Sequence, residues 1–250
     1  MTLPAAFQHR PIAHRALHDR RNGRPENSRA AIRAAIARGY GIEIDLQRSA
    51  DGRAMVFHDY VLDRLTGARG RIGDHDAAAL GGITLTGGDE GIPTFTEVLE
   101  IVDGQVPLLV EIKDQDGGMG PDVGPLEEAT AQALAGYDGP VAVMSFNPHS
   151  MAEMARLAPN VPRGLTTCAY PEADWPELTE ATRAHLREIP DFDRVGACFI
   201  SHQITDLAAA PVAALRDRGI PVLCWTVRTP AQEAEARKLA CNITFEQYLP

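Results

Sequence analysis

Short apolar runs, most of them bounded by glycine or proline, alternate along this chain with amphipathic, alanine-rich stretches. The runs at 12–15, 41–47, 108–113, 141–146, 164–167, 197–201, 222–227 and 242–246 have the length and near-continuous hydrophobicity of buried parallel strands. The stretches between them predict helices. One is capped by Asn27 or Ser28 and stops at Gly39. Others fall at 95–103, 126–135, 148–157, 175–187, 206–218 and 230–240, with Pro148, Pro211 and Pro230 placed where a first helical turn tolerates proline. Eight strands separated by helix-bearing connections predict an α/β fold, a TIM-type (β/α)8 barrel occupying residues 1–250 as one domain. A doubly wound open sheet competes. It would usually carry a glycine-rich phosphate loop after its first strand, and no G-x-G-x-x-G is present.

One segment breaks the rhythm. The apolar run 55–58 follows the second strand after only Ser49-Ala50-Asp51-Gly52, and Asp-Gly between apolar runs signals a hairpin. It is therefore expected to be an antiparallel excursion, with a turn centred near Ala50–Asp51 that sets His58 opposite about Glu43. The long polar connection 59–91 completes a hairpin and loop insertion at about 48–94, of the kind that is usually functional. The chain stops at Pro250, so the last helix is expected to be truncated.

Composition narrows the function. With 24 Lys and Arg against 34 Asp and Glu, the formal charge is −10 and no basic run is present. That argues against nucleic acid and against anionic lipid surfaces. No stretch approaches 18 apolar residues, so no stable membrane insertion is expected. The N-terminus is too short and too weakly apolar for a signal peptide. The 4 cysteines are dispersed without C-x-x-C spacing, which fits reduced thiols and a cytoplasmic location. An anionic substrate would need a site carrying its own positive charge.

Polar residues at the C-terminal ends of barrel strands face the active site. Here those ends read His14-Arg15, Glu43-Ile44-Asp45, His58-Asp59 and Glu111-Ile112-Lys113. Residues two apart on a strand share a face. Ile44 and Ile112 suit the helix layer, so Glu43, Asp45, Glu111 and Lys113 point inward. Three converging carboxylates repel unless a cation lies between them, and oxygen-only ligation suits Mg²⁺ or Ca²⁺. Ordinary ion pairing competes: Lys113 can pair with Glu111 or Asp45, and Arg15 with Glu26. His14 and His58 are suited to general acid–base catalysis. His9, His18, His75, His149, His185 and His202 are assigned structural roles. Arg15 and Lys113 supply positive charge for a phosphoryl group. Strand alternation sends His14 and Arg15 to opposite faces, so both reach one pocket only if the strand ends there. Phe146 and Trp225 end their strands as packing residues or as an apolar wall for an alcohol.

The ordered set His14-Arg15, Pro25-Glu26-Asn27-Ser28, Glu43-Ile44-Asp45-Leu46, Asp51-Gly52, Phe57-His58-Asp59, Leu62-Asp63-Arg64-Leu65-Thr66, Ile92-Pro93-Thr94-Phe95, Glu111-Ile112-Lys113, Ser145-Phe146 and Trp225-Thr226-Val227 resembles the glycerophosphodiester phosphodiesterase family. The resemblance runs from about Pro11 to Tyr248. It implies a barrel enzyme that hydrolyses small-molecule glycerophosphodiesters to sn-glycerol 3-phosphate and an alcohol with a divalent cation, Mg²⁺ or Ca²⁺. It implies Glu43, Asp45 and Glu111 as metal ligands and His14 and His58 as the acid/base pair. Arg15, Lys113, Phe146 and Trp225 are the expected substrate-binding residues. In the family mechanism the neighbouring glycerol hydroxyl attacks phosphorus and water then opens a cyclic phosphate. The sequence departs from the family where its usual glycine is Ala16 and where the last strand reads Thr244-Phe245-Glu246. Competing functions are a phosphodiesterase for lysophospholipids or phosphoinositides, a Mg²⁺-dependent carbon–carbon lyase, and a catalytically silent phosphodiester-binding barrel.

Overall fold

The computed structural model describes residues 1–250. Its strands are β1 (Ile12–Ala13), β2 (Gly41–Arg48), β3 (Ala54–Val56), β4 (Leu108–Ile112), β5 (Val141–Ser145), β6 (Arg163–Thr167), β7 (Phe199–Gln203), β8 (Val222–Val227) and β9 (Asn242–Phe245). Its helices are α1 (Ala6–His9), α2 (Arg29–Arg38), α3 (Ala77–Gly81), α4 (Phe95–Val102), α5 (Pro125–Leu134), α6 (Pro148–Leu157), α7 (Glu180–Arg187), α8 (Ala210–Asp217) and α9 (Pro230–Ala236). All strands but β3 run parallel within one sheet and alternate with helices, the architecture of a (β/α)8 barrel. No helix is long and apolar enough to cross a membrane. The chain divides into two compact units, one holding residues 12–113 and 124–141, the other 1–11, 114–123 and 142–250.

In the first unit, β2 is the organising strand. Its lower edge pairs with β1 at Ile12↔Gly41 and Ala13↔Ile42, and its other edge pairs with β4 through Glu43↔Leu109 and Asp45↔Glu111. Ile42, Ile44 and Leu46 are fully buried on one face, while Glu43 and Asp45 share the opposite face with Glu111. β1 spans two residues rather than the four of 12–15, because Arg15 (φ 52°) and Ala16 (φ 64°) turn left-handed. The upper edge of β2 goes instead to β3, which pairs antiparallel at Leu46↔Val56 and Arg48↔Ala54.

That register corrects the predicted hairpin by one residue. The turn is centred on Asp51: the Ser49 N–H donates to the Arg53 carbonyl, the Arg53 N–H donates back to Ser49 Oγ, and Gly52 takes the left-handed conformation (φ 79°) of a three-residue loop. His58 therefore lies level with Ile44, not Glu43. The connection beyond β3 builds its own apolar cluster from Met55, Phe57, Leu62, Leu65, Ile72, Leu80, Leu85 and Ile92.

Helix boundaries follow capping chemistry. Ser28, not Asn27, caps α2 by accepting from the Ala31 N–H, and Gly39 (φ 69°) closes it. Thr94 and Glu97 form a capping box on α4. In the second unit, the helix expected over 175–187 starts only at Glu180, capped by Thr179. The one expected over 206–218 is split into a 3-10 turn (Ile204–Asp206) and α8. β7 starts at Phe199 and runs on to Gln203, later than the expected 197–201. Gly164 is required by close approach: a Cβ there would lie 2.5 Å from the Phe199 ring on the neighbouring strand.

Candidate active site

The site is assembled where β1 ends. The left-handed turn at Arg15 lets consecutive side chains escape strand alternation, and it aims the Arg15 N–H at Glu43 Oε2, 2.8 Å away. Ala16 holds the same left-handed conformation and donates its N–H to the Glu43 carbonyl oxygen. A non-glycine residue there costs about 1–2 kcal/mol, so the loop keeps its shape despite the alanine. His14 sits between β1 and this turn, half-buried.

Glu43, Asp45 and Glu111 are buried, with ligand oxygens all within 4.8 Å of one another. Burial, then Asp45 and Glu111, push the Glu43 carboxyl well above its ordinary range. Burial acts on Asp45 in the same direction, but Lys113, His58 and Arg15 overcome it and hold that carboxyl far below its ordinary range. Lys113 Nζ lies 2.8 Å from Asp45 Oδ1 and 2.5 Å from Glu111 Oε1. The ion pairs that competed with a phosphate-binding role for Lys113 are therefore present. Arg15 does the same, with Nη1 on Glu26 Oε1 at 2.7 Å and Nε 3.6 Å from Asp45 Oδ2. Asn27, expected only as a possible cap, instead donates to Asp45 Oδ2 at 2.9 Å.

His58 is fixed from its outer side. Its Nδ1 is 2.6 Å from Asp59 Oδ1. Burial disfavours the charged Asp59 carboxylate, yet hydrogen bonds from His58 and Arg64 hold it well below the usual range. An ionised carboxylate only accepts, so the Nδ1 carries the proton and Nε2 is the ring nitrogen left with an acceptor lone pair when the imidazole is neutral. Arg64 also grips Glu26, the partner of Arg15. Sequence reasoning gave no role to Asp59 or Arg64. Asp59 was marked only by its place beside His58 at a strand end and in the motif Phe57-His58-Asp59, and Arg64 only by the motif Leu62-Asp63-Arg64-Leu65-Thr66.

The donor set fits a divalent cation. Counting all groups as ionised, five carboxylates (Glu26, Glu43, Asp45, Asp59, Glu111) face three cations (Arg15, Arg64, Lys113), a formal −2 that one such ion cancels. The same ion would relieve the repulsion that raises Glu43. Oxygen-only donors match hard cations.

Phe146 and Trp225 belong to the second unit. There Phe146 packs 4.9 Å from Trp175, 5.6 Å from Trp225 and 6.2 Å from Tyr170, centroid to centroid. Trp225 Nε1 donates to the Ser201 carbonyl. His202 shares a hydrogen bond with Thr167, and His185 pairs with Asp191.

Known proteins resemble this chain in sequence and in fold. A glycerophosphodiester phosphodiesterase of Caldanaerobacter subterraneus subsp. tengcongensis is 35% identical over 166 residues, 62% of this chain and 65% of that protein. One from Bacillus subtilis is 27% identical over 212 residues, covering 76% and 67%. The structure of an Oleispira antarctica phosphodiesterase in complex with the product sn-glycerol-3-phosphate superposes with a TM-score of 0.76 at 25% identity, covering 97% of this chain and 95% of that one. The glycerophosphoryl diester phosphodiesterase family matches residues 14–244. That interval opens on the first candidate histidine and holds every charged side chain described above, so by both sequence and structure the chain belongs to this family.

Proposed function

We propose that the protein hydrolyses glycerophosphodiesters to sn-glycerol 3-phosphate and an alcohol, using Mg²⁺ or Ca²⁺ held by Glu43, Asp45 and Glu111. The observation that carries this reading is the buried carboxylate triad flanked by Arg15, Lys113 and an oriented His58. Membership of the family and the product bound to the Oleispira antarctica relative support the substrate class. When bound, the cation supplies Lewis-acid stabilisation of charge on the phosphoryl oxygens.

The chain's own groups do the rest. Arg15 and Lys113 attract the phosphodiester anion and bind its non-bridging oxygens. One imidazole of the pair His14 and His58 takes the proton of the attacking glycerol hydroxyl, and the other protonates the departing alcohol oxygen. In the second stage their roles reverse as water opens the cyclic phosphate. Asp59 keeps His58 in the tautomer that presents Nε2. Phe146 and Trp225 are proposed as apolar contacts of the alcohol group. The four unpaired cysteines support a cytoplasmic location.

The test is a diester panel assayed with Mg²⁺ or Ca²⁺ for glycerol 3-phosphate released from the glycerophospho-alcohols and for the phosphomonoester product of each lipid. It contains glycerophosphoethanolamine, glycerophosphocholine, a lysophospholipid and a phosphoinositide. Turnover of the glycerophospho-alcohols supports the proposal. Turnover confined to the lipid substrates replaces it with the lipid phosphodiesterase reading, and no turnover of any diester refutes it.

A further inference from the structure

Arg64 lies outside the metal and histidine sets, with its side chain about half exposed. A surface arginine of that kind usually contributes little. This one differs in how its guanidinium is used. The Nε–Nη2 edge donates to both Asp59 oxygens at 2.7 and 2.8 Å, and the Nη1–Nη2 edge donates to both Glu26 oxygens at 2.9 Å each. Both carboxylates are largely buried, at 16% and 13% exposure. The oxygens that Nη2 holds also carry the site's working groups. Asp59 Oδ1 takes the His58 Nδ1–H, and Glu26 Oε1 takes the Arg15 Nη1–H. A continuous chain of charge-assisted hydrogen bonds therefore runs His58, Asp59, Arg64, Glu26, Arg15.

The backbone around Arg64 is anchored for this task. Leu62 and Leu65 on either side are buried in the insertion's apolar cluster, and Thr66 closes the turn by donating both its N–H and its hydroxyl to the Leu62 carbonyl. We infer that Arg64 is a positioning residue: its two-edged fork sets the imidazole of the acid/base residue and the guanidinium of the phosphate-binding residue in one fixed relation, and delivering that fork is a function of the insertion. This rests on the proposed phosphodiesterase reading. A lysine cannot replace it, because an ammonium is a point charge with no pair of planar edges.

The experiment compares Arg64→Ala and Arg64→Lys with wild type on glycerophosphocholine with Mg²⁺ or Ca²⁺, with circular dichroism to confirm folding. Outer-shell partners of this kind contribute about 10–100-fold. A kcat loss of that size is expected in Arg64→Ala, with KM rising less than about fivefold. Arg64→Lys should recover only a few-fold, and free guanidinium ion, unlike ammonium, should restore part of the Arg64→Ala activity. Ring-nitrogen NMR adds a readout independent of turnover: His58 should hold one Nδ1-protonated tautomer in wild type and a mixture in Arg64→Ala. A kcat within twofold of wild type, full recovery by lysine, or an unchanged His58 tautomer overturns the inference while the phosphodiesterase reading stands. Failure of the wild type to turn over any glycerophosphodiester overturns that reading itself, and the positioning role for this reaction with it.

Discussion

Replacing Glu43 by glutamine asks whether the carboxylate cluster serves a cation at the expense of stability. Glu43 is 1% exposed, and its ligand oxygen lies within 4.8 Å of those of Asp45 and Glu111. At that separation like charges repel by about 3.5 kcal/mol at an effective dielectric constant of about 20. Burial and these two neighbours raise its carboxyl well above the ordinary 4.5. The wild-type chain can escape the repulsion by taking up a proton, which caps the penalty. However far the carboxyl is raised, at pH 7 the cost cannot exceed about 3.4 kcal/mol, at roughly 1.36 kcal/mol per pH unit above the unfolded value.

Metal-free Glu43→Gln is therefore expected to be more stable than wild type by about 1–3 kcal/mol at pH 7. For a chain of this size that is roughly 2–4 °C in Tm per kcal/mol. The glutamine oxygen can still accept the Arg15 N–H. Because a raised carboxyl binds its proton more tightly in the folded state, the wild-type penalty is absent below the unfolded value and grows as pH rises towards the folded one. The gain should accordingly vanish near pH 4.5. Metal closes or reverses the gap: an ion at 100 times its Kd adds about 2.7 kcal/mol to wild type and little to the variant. Thermal melts with EDTA, Mg²⁺ or Ca²⁺ at the two pH values read all of this. A glutamine variant that melts at or below wild type in EDTA at pH 7, or that gains as much from metal, refutes the reasoning.

His14→Ala and His58→Ala should each lower kcat by about 10²–10⁴-fold while metal binding, followed by calorimetric titration, persists; near-normal turnover in either removes that residue from the acid/base pair. Leu80→Ala, a fully buried position in the insertion's own cluster, should cost about 2–5 kcal/mol in chemical denaturation, and a loss under about 1 kcal/mol would show that this cluster is not a packed core.

The strands were legible because each is a short apolar run cut off by glycine or proline, and the eight parallel strands of the structure overlap all eight expected ones. Boundaries shifted where local chemistry outweighed hydrophobicity. Arg15 and Ala16 end β1 through backbone angles that no hydrophobic pattern encodes. Helix α7 starts at Glu180, five residues beyond the expected 175, because the Thr179 side chain caps it there. The one-residue register error at His58 arose from treating a three-residue turn as a two-residue one.

Within the site, the carboxylates and Lys113 could be found because i and i+2 positions on one strand must share a face. The Arg15–Glu26 pair was foreseeable because the two residues are close in sequence. Arg64 was not, since it meets Glu26 across 38 residues of a connection without strand periodicity. Asp59 carried no pattern of its own beyond following His58. The paired use of Lys113 was visible as an alternative, and the structure shows it gripping two carboxylates at once.

The central claim is that Glu43, Asp45 and Glu111 hold a divalent cation without which the diester is not cleaved. The most direct measurement strips the protein by exhaustive chelation, then titrates Mg²⁺ or Ca²⁺ back while following glycerol 3-phosphate release from a glycerophosphodiester. The account predicts no turnover in the stripped protein and saturable recovery as one ion per chain is bound, with no recovery in Glu111→Gln. Turnover indifferent to chelation, or restored equally in that variant, would contradict it.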